Sequence, residues 1–369
     1  MDIVLEIVDT LFGDYLYATL HPAKPAPYDF PHPPSNETVN GHAFSAWAYK
    51  PSTHYFYLEP SEYAYMSQWP RDNIYRQALS LFLIVWSVLS LTEYLSSERA
   101  SQLTIISPRL FGLVVYFVFA SLSYVFVFDK KTKEHPKYLR NQVALEIKQT
   151  MASMPFMSIC TTPLMLAEVR GHSKLYDAAA EAPFAAYSWV QFPFFVMFTD
   201  FCIYWIHRWL HHPLIYKNLH KPHHRWIMPT PFASHAFHPL DGFAQSFPYH
   251  VFPFFFPLQK LSYVFLFVFV NFWTIIIHDG EFVSDNPVVN GAACHSIHHL
   301  AFNYNYGQYT TLWDRMGGSY RKPDPSVFDK QENMSQAQWE KQSREMEKMV
   351  RVVEGVDDRS YLPEAKKTR

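Results

Sequence analysis

Residues 207–212 read His-Arg-Trp-Leu-His-His, residues 220–224 read His-Lys-Pro-His-His, and residues 295–299 read His-Ser-Ile-His-His. These three histidine boxes contain nine of the 19 histidines of the chain. Imidazole is the commonest neutral protein ligand of transition metals, and one tetrahedral zinc ion uses about four protein ligands. Nine clustered imidazoles are too many for one ion, so the boxes predict a site for two.

Helical spacing predicts how the boxes present their rings. Residues four apart share a face of a helix, which applies to the first and the last histidine of the second and third boxes and to His207 and His211. His212 is offset by about 100°, so it reaches the site if the helix frays or if the site wraps around it. The predicted ligands are His207, His211, His212, His220, His223, His224, His295, His298 and His299.

Three further histidines are candidates. His278 ends an apolar run, and Asp279 and Glu281 follow it as predicted hydrogen-bond partners that would hold its ring. His235 and His238 lie in the stretch Ser-His-Ala-Phe-His-Pro, where a ligand role and an ordinary structural role are equally supported. We therefore expect His278 as an additional ligand and keep His235 and His238 as possible ones.

An all-imidazole ligand set leaves Fe, Zn, Cu and Ni open. Composition narrows the setting, since 18% of the residues are aromatic, which is typical of a membrane protein. The net charge of −2 gives no reason to expect nucleic-acid binding, and three separated cysteines exclude a disulfide framework. A water-poor site with access to lipid and O₂ favours two Fe ions that oxidise an unactivated C–H bond.

Four runs without a charged residue predict transmembrane helices, at residues 77–92, 110–128, 149–167 and 182–199. A fifth apolar region, 243–277, is split by prolines and by Lys260 into halves of about 17 residues, which favours a helical hairpin that dips into the bilayer. The predicted fold is all-α: an integral membrane protein with about four transmembrane helices, this hairpin, and a cytoplasmic helical cap that holds the His-rich di-metal site.

The loop 129–140 contains five basic residues and is expected to be cytoplasmic. Counting the predicted membrane crossings outward from this loop places all three boxes and both termini on the cytoplasmic face. The basic tail 366–369 fits an endoplasmic-reticulum retrieval signal, which predicts a multi-pass protein of that membrane. Four basic residues near the boxes predict either a docking patch for an acidic electron donor or a membrane anchor: Arg208, Lys217, Lys221 and Arg225.

These segments predict four regions. Residues 1–72 form a cytoplasmic arm, with an amphipathic helix over 1–20 followed by a Pro- and Tyr-rich stretch. Residues 73–206 hold the transmembrane helices, and 207–325 form the cytoplasmic catalytic region that includes the membrane hairpin. Residues 326–369 form a charged C-terminal tail with a solvated helix at 329–351.

Three segments add a family resemblance. They are residues 200–207 (Asp-Phe-Cys-Ile-Tyr-Trp-Ile-His), residues 232–242 (Phe-Ala-Ser-His-Ala-Phe-His-Pro-Leu-Asp-Gly), and residues 298–308, followed by Leu-Trp-Asp-Arg-Met-Gly-Gly at 312–318. Together with the boxes, they resemble the fatty acid hydroxylase superfamily of membrane di-iron oxygenases. The stretch 234–242 is similar to the sterol C-5 desaturase branch of the fungal ergosterol pathway. The resemblance covers residues 70–325.

The resemblance implies a reaction and its partners. The enzyme would use O₂ to introduce the C5=C6 double bond into a Δ7-sterol such as episterol, with electrons from cytochrome b5 and its NAD(P)H-dependent reductase. It would carry two Fe ions on the nine box histidines, with His278 as the additional ligand. Two alternatives stay open: a sterol C-4 methyl oxidase or lipid hydroxylase of the same superfamily, and a non-redox zinc-binding membrane protein.

Overall fold

The computed structural model describes residues 2–22, 63, 67–86 and 114–361. Within these ranges the chain is mostly helical, and its one ladder is a parallel pair of two-residue strands, β1 (Leu175–Tyr176) and β2 (Leu258–Gln259). The prediction of an all-α fold is therefore confirmed for the described residues. Residues 23–62 and 64–66 of the predicted Pro- and Tyr-rich stretch, and the basic tail, lie outside them.

The chain divides into two compact units. The first comprises Met1–Gly112, Ser158–Ser188 and Pro253–Val264. Its N-terminal helix runs through α1 (Asp2–Val8), a π-helical turn (Asp9–Gly13) and α2 (Asp14–Leu20), followed by α3 (Ile74–Trp86). Apolar residues of α1 pack against Leu81 and Ile84 of α3. The predicted N-terminal helix is confirmed, and it packs on the protein.

The polar side of this helix departs from a simple amphipathic pattern. Asp9 and Asp14 are buried rather than solvated, because Arg71 and Arg76 pair with them. The Arg76 Nη2 atom lies 2.6 Å from Asp14 Oδ1 and 3.2 Å from Asp9 Oδ1. We call these four residues the N-terminal ion cluster. Its cations are about 60 positions away in sequence, so helical periodicity alone could not reveal them.

The second unit comprises Leu113–Met157, Trp189–Phe252 and Phe265–Arg369. Further helices of the chain are α4 (Phe119–Leu122, flanked by π-helical Val114–Val118 and Ser123–Val127), α5 (Gln142–Val169), α6 (Tyr187–Leu210), α7 (Pro213–Leu219), α8 (Lys221–His224), α9 (Pro239–Phe255), α10 (Lys260–Ile276), α11 (Ala292–Ala301), α12 (Leu312–Gly317), α13 (Lys330–Asn333) and α14 (Gln336–Val353). Short 3₁₀ helices occur at Lys130–Glu134, Ala179–Glu181, Pro231–His235 and Pro325–Phe328.

Among the described residues, two helices, α5 and α6, are long and apolar enough to cross a bilayer. They contain the predicted runs 149–167 and most of 182–199, and α5 continues through Pro155 and Pro163 without a break. Shorter apolar helices cover Ile74–Val85, Tyr116–Val127 and Lys260–Ile276. Residues 87–113, which hold parts of the first two predicted runs, lie outside the described ranges. The fifth region forms two 17-residue helices, α9 and α10, as its split predicted.

The charged C-terminal region is packed within the second unit. Helix α14 was predicted to be solvated, but it buries Trp339, Met346 and Val350 along one side. Met346 and Val350 share an apolar cluster with Leu300 and Phe302, which lie next to the third histidine box. The helix is therefore amphipathic, and its buried side supports the segment that carries that box.

Candidate metal centre

Four segments of the second unit bring the histidines together. The last turns of α6 carry His207, and His211 follows directly after the helix. The second box lies in the tight turn around α8, where Pro222 starts a single helical turn. Helix α11 carries the third box, and His278 follows α10. Each box therefore sits in or beside a helix end, where a short change of direction turns its rings inward.

The third box is followed by a sharp change of direction. Phe302 ends α11 with φ +57° and ψ −43°, and the Asn303 N–H donates to the Ala301 carbonyl at 2.6 Å. A three-residue turn with this backbone is rare and strained for an L-residue. Phe302 is nevertheless fully buried, and its ring packs against His224 at a centroid distance of 5.0 Å. Packing therefore holds a turn that local preference disfavours.

The rings form two groups. Group A consists of His207, His211, His220, His224 and His298. Group B consists of His223, His278, His295 and His299. In each group the candidate ligand atoms lie within 4.8 Å of one another, and all nine residues are buried. The chain thus brings together eight of the nine box histidines and His278, divided into two sets that are each large enough for one ion.

Hydrogen bonds fix the orientation of four rings. The Nδ1 atoms of His207, His298 and His278 lie 2.7–2.9 Å from the carbonyl oxygens of Tyr306, Tyr304 and Thr274, respectively. Because a carbonyl oxygen only accepts, each of these Nδ1 atoms donates its proton. The fourth ring, His220, places Nδ1 2.8 Å from Asp241 Oδ2, and the same tautomer follows. In the neutral rings, Nε2 therefore carries a lone pair that is free to bind a metal.

The Nε2 atoms of the rings lie close together within each group, and those of His207 and His220 both carry such a lone pair. The Nε2 atoms of His207 and His220 are 3.1 Å apart, and those of His224 and His298 are 3.0 Å apart. In group B the Nε2 atoms of His278 and His295 are separated by 2.9 Å. Two nitrogens about 2.1 Å from one ion, with bonds at right angles, are about 3.0 Å apart. The spacing fits a shared cation in each group, whereas two facing lone pairs would repel each other.

Burial keeps the rings in the form that binds metals. Removal from water, and after it the neighbouring imidazoles, lowers the pKa of His223, His224 and His298 well below the usual value. Burial lowers the pKa of His278 to about 4. Metal ligation requires the neutral imidazole, so both groups are prepared for ligation at neutral pH.

The structure does not bring His212, His235 or His238 into either group. His212 is exposed, because α6 ends at Leu210, and its Nδ1 accepts the Leu214 N–H at the start of α7. His235 Nε2 is bonded to Asn271 Oδ1, and its Nδ1 is bonded to Ser234 Oγ. His238 Nδ1 accepts the Leu240 N–H at the start of α9. Each ring has a local structural role.

The predicted partners of His278 are also corrected. Asp279 accepts the Glu281 N–H, and Glu281 pairs with Lys330, so neither carboxylate holds the ring. The carboxylate that does contact a site ring is Asp241, in the first turn of α9. Sequence reasoning noted its motif but missed this role. The sequence marks Asp241 only as an acidic residue before a long apolar stretch, and it does not indicate that His220 is its partner.

Comparison with known proteins gives consistent matches. The model of the family described as fatty acid hydroxylase matches residues 192–319. A probable Delta(7)-sterol 5(6)-desaturase of Neurospora crassa is 63% identical, with 100% of both chains covered. A Delta(7)-sterol 5(6)-desaturase of Aspergillus fumigatus is 57% identical over 100% of this chain and 99% of its own. One from Gibberella zeae is 54% identical over 99% and 98%, respectively. No solved structure matches the chain.

Proposed function

The chain belongs to the family of Delta(7)-sterol 5(6)-desaturases, and we propose that its nine buried imidazoles hold two Fe ions for this reaction. The enzyme introduces the C5=C6 double bond into a Δ7-sterol such as episterol, in ergosterol biosynthesis. Curated relatives at 54–63% identity over nearly the whole chain carry this activity in their names, which favours desaturation over C-4 methyl oxidation or lipid hydroxylation. The observation that carries the two-ion site is the division of the rings into two groups.

Group A would hold one ion and group B the other. When bound, the iron pair supplies the oxidising power of O₂: the sterol loses two hydrogens, and O₂ with two electrons and two protons becomes two waters. Iron rather than zinc is supported by the sterol desaturase family, because zinc has no redox chemistry. His212, His235 and His238 are not part of this proposed ligand set.

The residues around the rings exclude water and limit ring movement. Phe237 stacks on His223 at 4.3 Å between centroids, and Phe302 packs against His224. Tyr306 lies edge-on to His207 and His298. An apolar wall keeps a charged centre poorly hydrated and protects a reactive oxidant from side reactions. These residues therefore suit a site where a lipid, rather than water, is oxidised.

We further propose a multi-pass protein of the endoplasmic-reticulum membrane, with about four transmembrane helices, a dipping hairpin of α9 and α10, and a cytoplasmic cap that contains the site. Contacts of the basic loop support this sidedness. Lys137 pairs with Glu347 of α14, and Leu139 forms a bridge with Tyr361. Lys330 contacts both Asp129 of that loop and Glu281 after His278. These contacts bring the basic loop, the C-terminal helices and the segment after His278 together, which supports the proposal that they share a cytoplasmic face.

Cytochrome b5 and its NAD(P)H-dependent reductase are the proposed electron source. Of the four basic residues near the boxes, Lys221 is paired with Asp358 and Glu354, and Arg208 donates to Tyr204 and the Gly317 carbonyl. Lys217 and Arg225 are exposed and flank the second histidine box in sequence. Their charges suit an acidic donor, and charge complementarity mainly raises the encounter rate. Replacing both by Ala should slow electron delivery while the metal content stays unchanged.

Reconstitution tests the whole proposal. The full chain in lipid nanodiscs, loaded with Fe(II), is supplied with cytochrome b5, the reductase, NADPH, O₂ and a Δ7-sterol, and the products are separated by mass spectrometry. The expected product is the 5,7-diene. The same protein loaded with Zn(II) is the control and should form none. A hydroxylated or 4-carboxylated sterol as the main product, or equal activity with zinc, would contradict the proposal.

A further inference from the structure

Three buried carboxylates surround group A, and they deepen the proposed function by explaining how its rings are held. We propose that Asp200, Asp241 and Asp314 are positioning residues that fix three of the five group A rings with Nε2 directed at the ion. All three side chains are fully buried. The inference rests on the proposed function only in requiring that group A binds a metal. The contacts below show that one carboxylate acts directly and two act through a loop.

Asp241 acts directly. Its Oδ2 accepts the His220 Nδ1 proton at 2.8 Å, and its Oδ1 accepts the Gln245 Nε2–H at 2.7 Å. His220 is also fully buried, so no water competes for the ring. A carboxylate on Nδ1 fixes the tautomer and raises the basicity of Nε2, which strengthens a metal bond. Gln245 holds the carboxylate in place from the next turn of α9.

Asp200 acts on the loop that follows the third box. It lies on α6, two helical turns before His207. Its Oδ1 accepts the N–H groups of Gln308 and Tyr309 at 2.9 and 2.8 Å. Its Oδ2 accepts from the Thr310 N–H at 3.1 Å and from the Thr310 hydroxyl at 2.6 Å. Four donors on one buried carboxylate bind the loop firmly to the helix that carries the first box.

Asp314 holds the preceding part of the same loop. Its two oxygens accept the N–H groups of Tyr306 and Gly307, each at 2.8 Å, and Ser319 Oγ donates to it at 2.8 Å. The carbonyls of Tyr304 and Tyr306, in this loop, accept the Nδ1 protons of His298 and His207. The two carboxylates therefore bind the amides of the segment whose carbonyls orient two rings of group A.

Group B is held differently. Within the described part of the chain, the Nδ1 partner of His278 is the Thr274 carbonyl, inside its own helix end. The Nδ1 atom of His223 has no hydrogen-bond partner there, and in group A the same holds for the Nδ1 atoms of His211 and His224. The nearest carboxylate in sequence, Asp279, contacts no ring. Group A thus has three rings whose Nδ1 atoms are held by an acceptor, whereas His278 is the ring held in this way in the described part of group B. The group A ion should therefore be the more tightly held.

Metal titration of Asp241→Asn tests this inference without depending on turnover. The full chain in nanodiscs is stripped with a chelator and titrated with Co(II), whose visible absorption reports imidazole ligation. The native protein should bind two ions. Asp241→Asn should weaken one of them about 10–100-fold, the usual cost of removing such a partner. Asp279→Asn, a buried carboxylate beside His278 without a ring contact, is the matched control and should bind like the native protein.

A second variant, Asp200→Asn, guards against loss of folding in the first. Asp200 lies on another helix, and its substitution should weaken the binding of the same ion. One variant that elutes from a size-exclusion column as a single species is therefore enough for the test. Two native-affinity ions in Asp241→Asn or Asp200→Asn would overturn the inference and leave the proposed function intact. Equal weakening in Asp279→Asn would overturn it too. A native protein that binds no metal would end the proposed function and this inference together.

Discussion

The N-terminal ion cluster and the group A rings both bury polar groups, but they differ in how these groups are satisfied. In the ion cluster each charge faces an opposite charge, with Arg76 between Asp9 and Asp14. In group A the lone pairs of His207 and His220 face each other at 3.1 Å. The first arrangement is complete as the chain folds, whereas the second needs a cation. Burial alone therefore does not identify a functional site, and the pairing of donors and acceptors does.

Removing one ring of group A gives the largest expected effect. His298→Ala should abolish diene formation and lose one ion per chain, because the ring contributes a lone pair directly to the ion. We expect metal affinity and activity to fall by more than the 10–100-fold that is typical when a hydrogen-bond partner of a ligand is removed. Product analysis and elemental analysis measure it. His212→Ala is the control, since that ring is exposed and outside both groups. Equal losses in both variants would contradict the assignment.

Metal removal should affect the metal centre and leave the N-terminal ion cluster unchanged, with a smaller effect than the loss of a ring. A ligand that binds only the native state stabilises it by about 4 kcal/mol when the free ligand concentration is about 1,000 times the dissociation constant. Stripping with a chelator should therefore lower the melting temperature and increase amide exchange in segments 207–224 and 292–306. The ion cluster should be unaffected, so exchange in α1 and α2 should stay the same. If α1 and α2 lost protection first, the distinction drawn between the regions would be wrong.

The reverse change targets the ion cluster. Arg76→Met leaves two buried carboxylates without their shared guanidinium, which typically costs about 3–5 kcal/mol. We expect faster proteolysis and amide exchange in α1 and α2, while folded protein still binds two ions. Arg344→Met removes an exposed i,i+4 partner of Glu340 on α14 and is the control. That pair is worth no more than about 0.5 kcal/mol. Loss of metal in Arg76→Met would show that the regions are coupled.

The smallest expected effect is the change in stability of the N-terminal ion cluster with pH. Burial raises the pKa of Asp9 to about 6, and Arg76 offsets only part of that shift. The folded state therefore binds more protons than the unfolded state between about pH 4 and 6, and this contribution to stability falls as pH rises through 6. Lowering the pH from 7 to 5 should increase amide protection of α1, after correction for intrinsic exchange rates. Asp9→Asn should remove the dependence, and an unchanged profile in that variant would contradict it.

Much of the site follows from residue type and spacing. Eight of the nine box histidines and His278 converge, because helix ends with four-residue spacing present their rings in one direction. His212 lies outside both groups, since α6 stops at Leu210 and Pro213 begins a new helix that uses the ring as a cap. Asp241 was missed because its partner His220 lies 21 positions away, a distance that no local pattern encodes.

The helices themselves were predictable from uncharged runs, and the split of residues 243–277 predicted α9 and α10. What sequence reasoning missed is long-range pairing. Nothing in the pattern of the N-terminal helix indicates that Arg71 and Arg76 pair with its acidic residues. Likewise, the buried side of α14 depends on Leu300 and Phe302, which a pattern of charged residues cannot reveal.

The strained turn at Phe302 has a consequence for how this protein can vary. It reverses the chain directly after the third box, so that the Tyr304 carbonyl reaches His298 only six residues later. Irregular segments usually accept insertions and deletions. Here a single added residue would move the carbonyls of Tyr304 and Tyr306 away from both rings. The length of this segment should therefore be as invariant as the histidines themselves, although it contains no metal ligand.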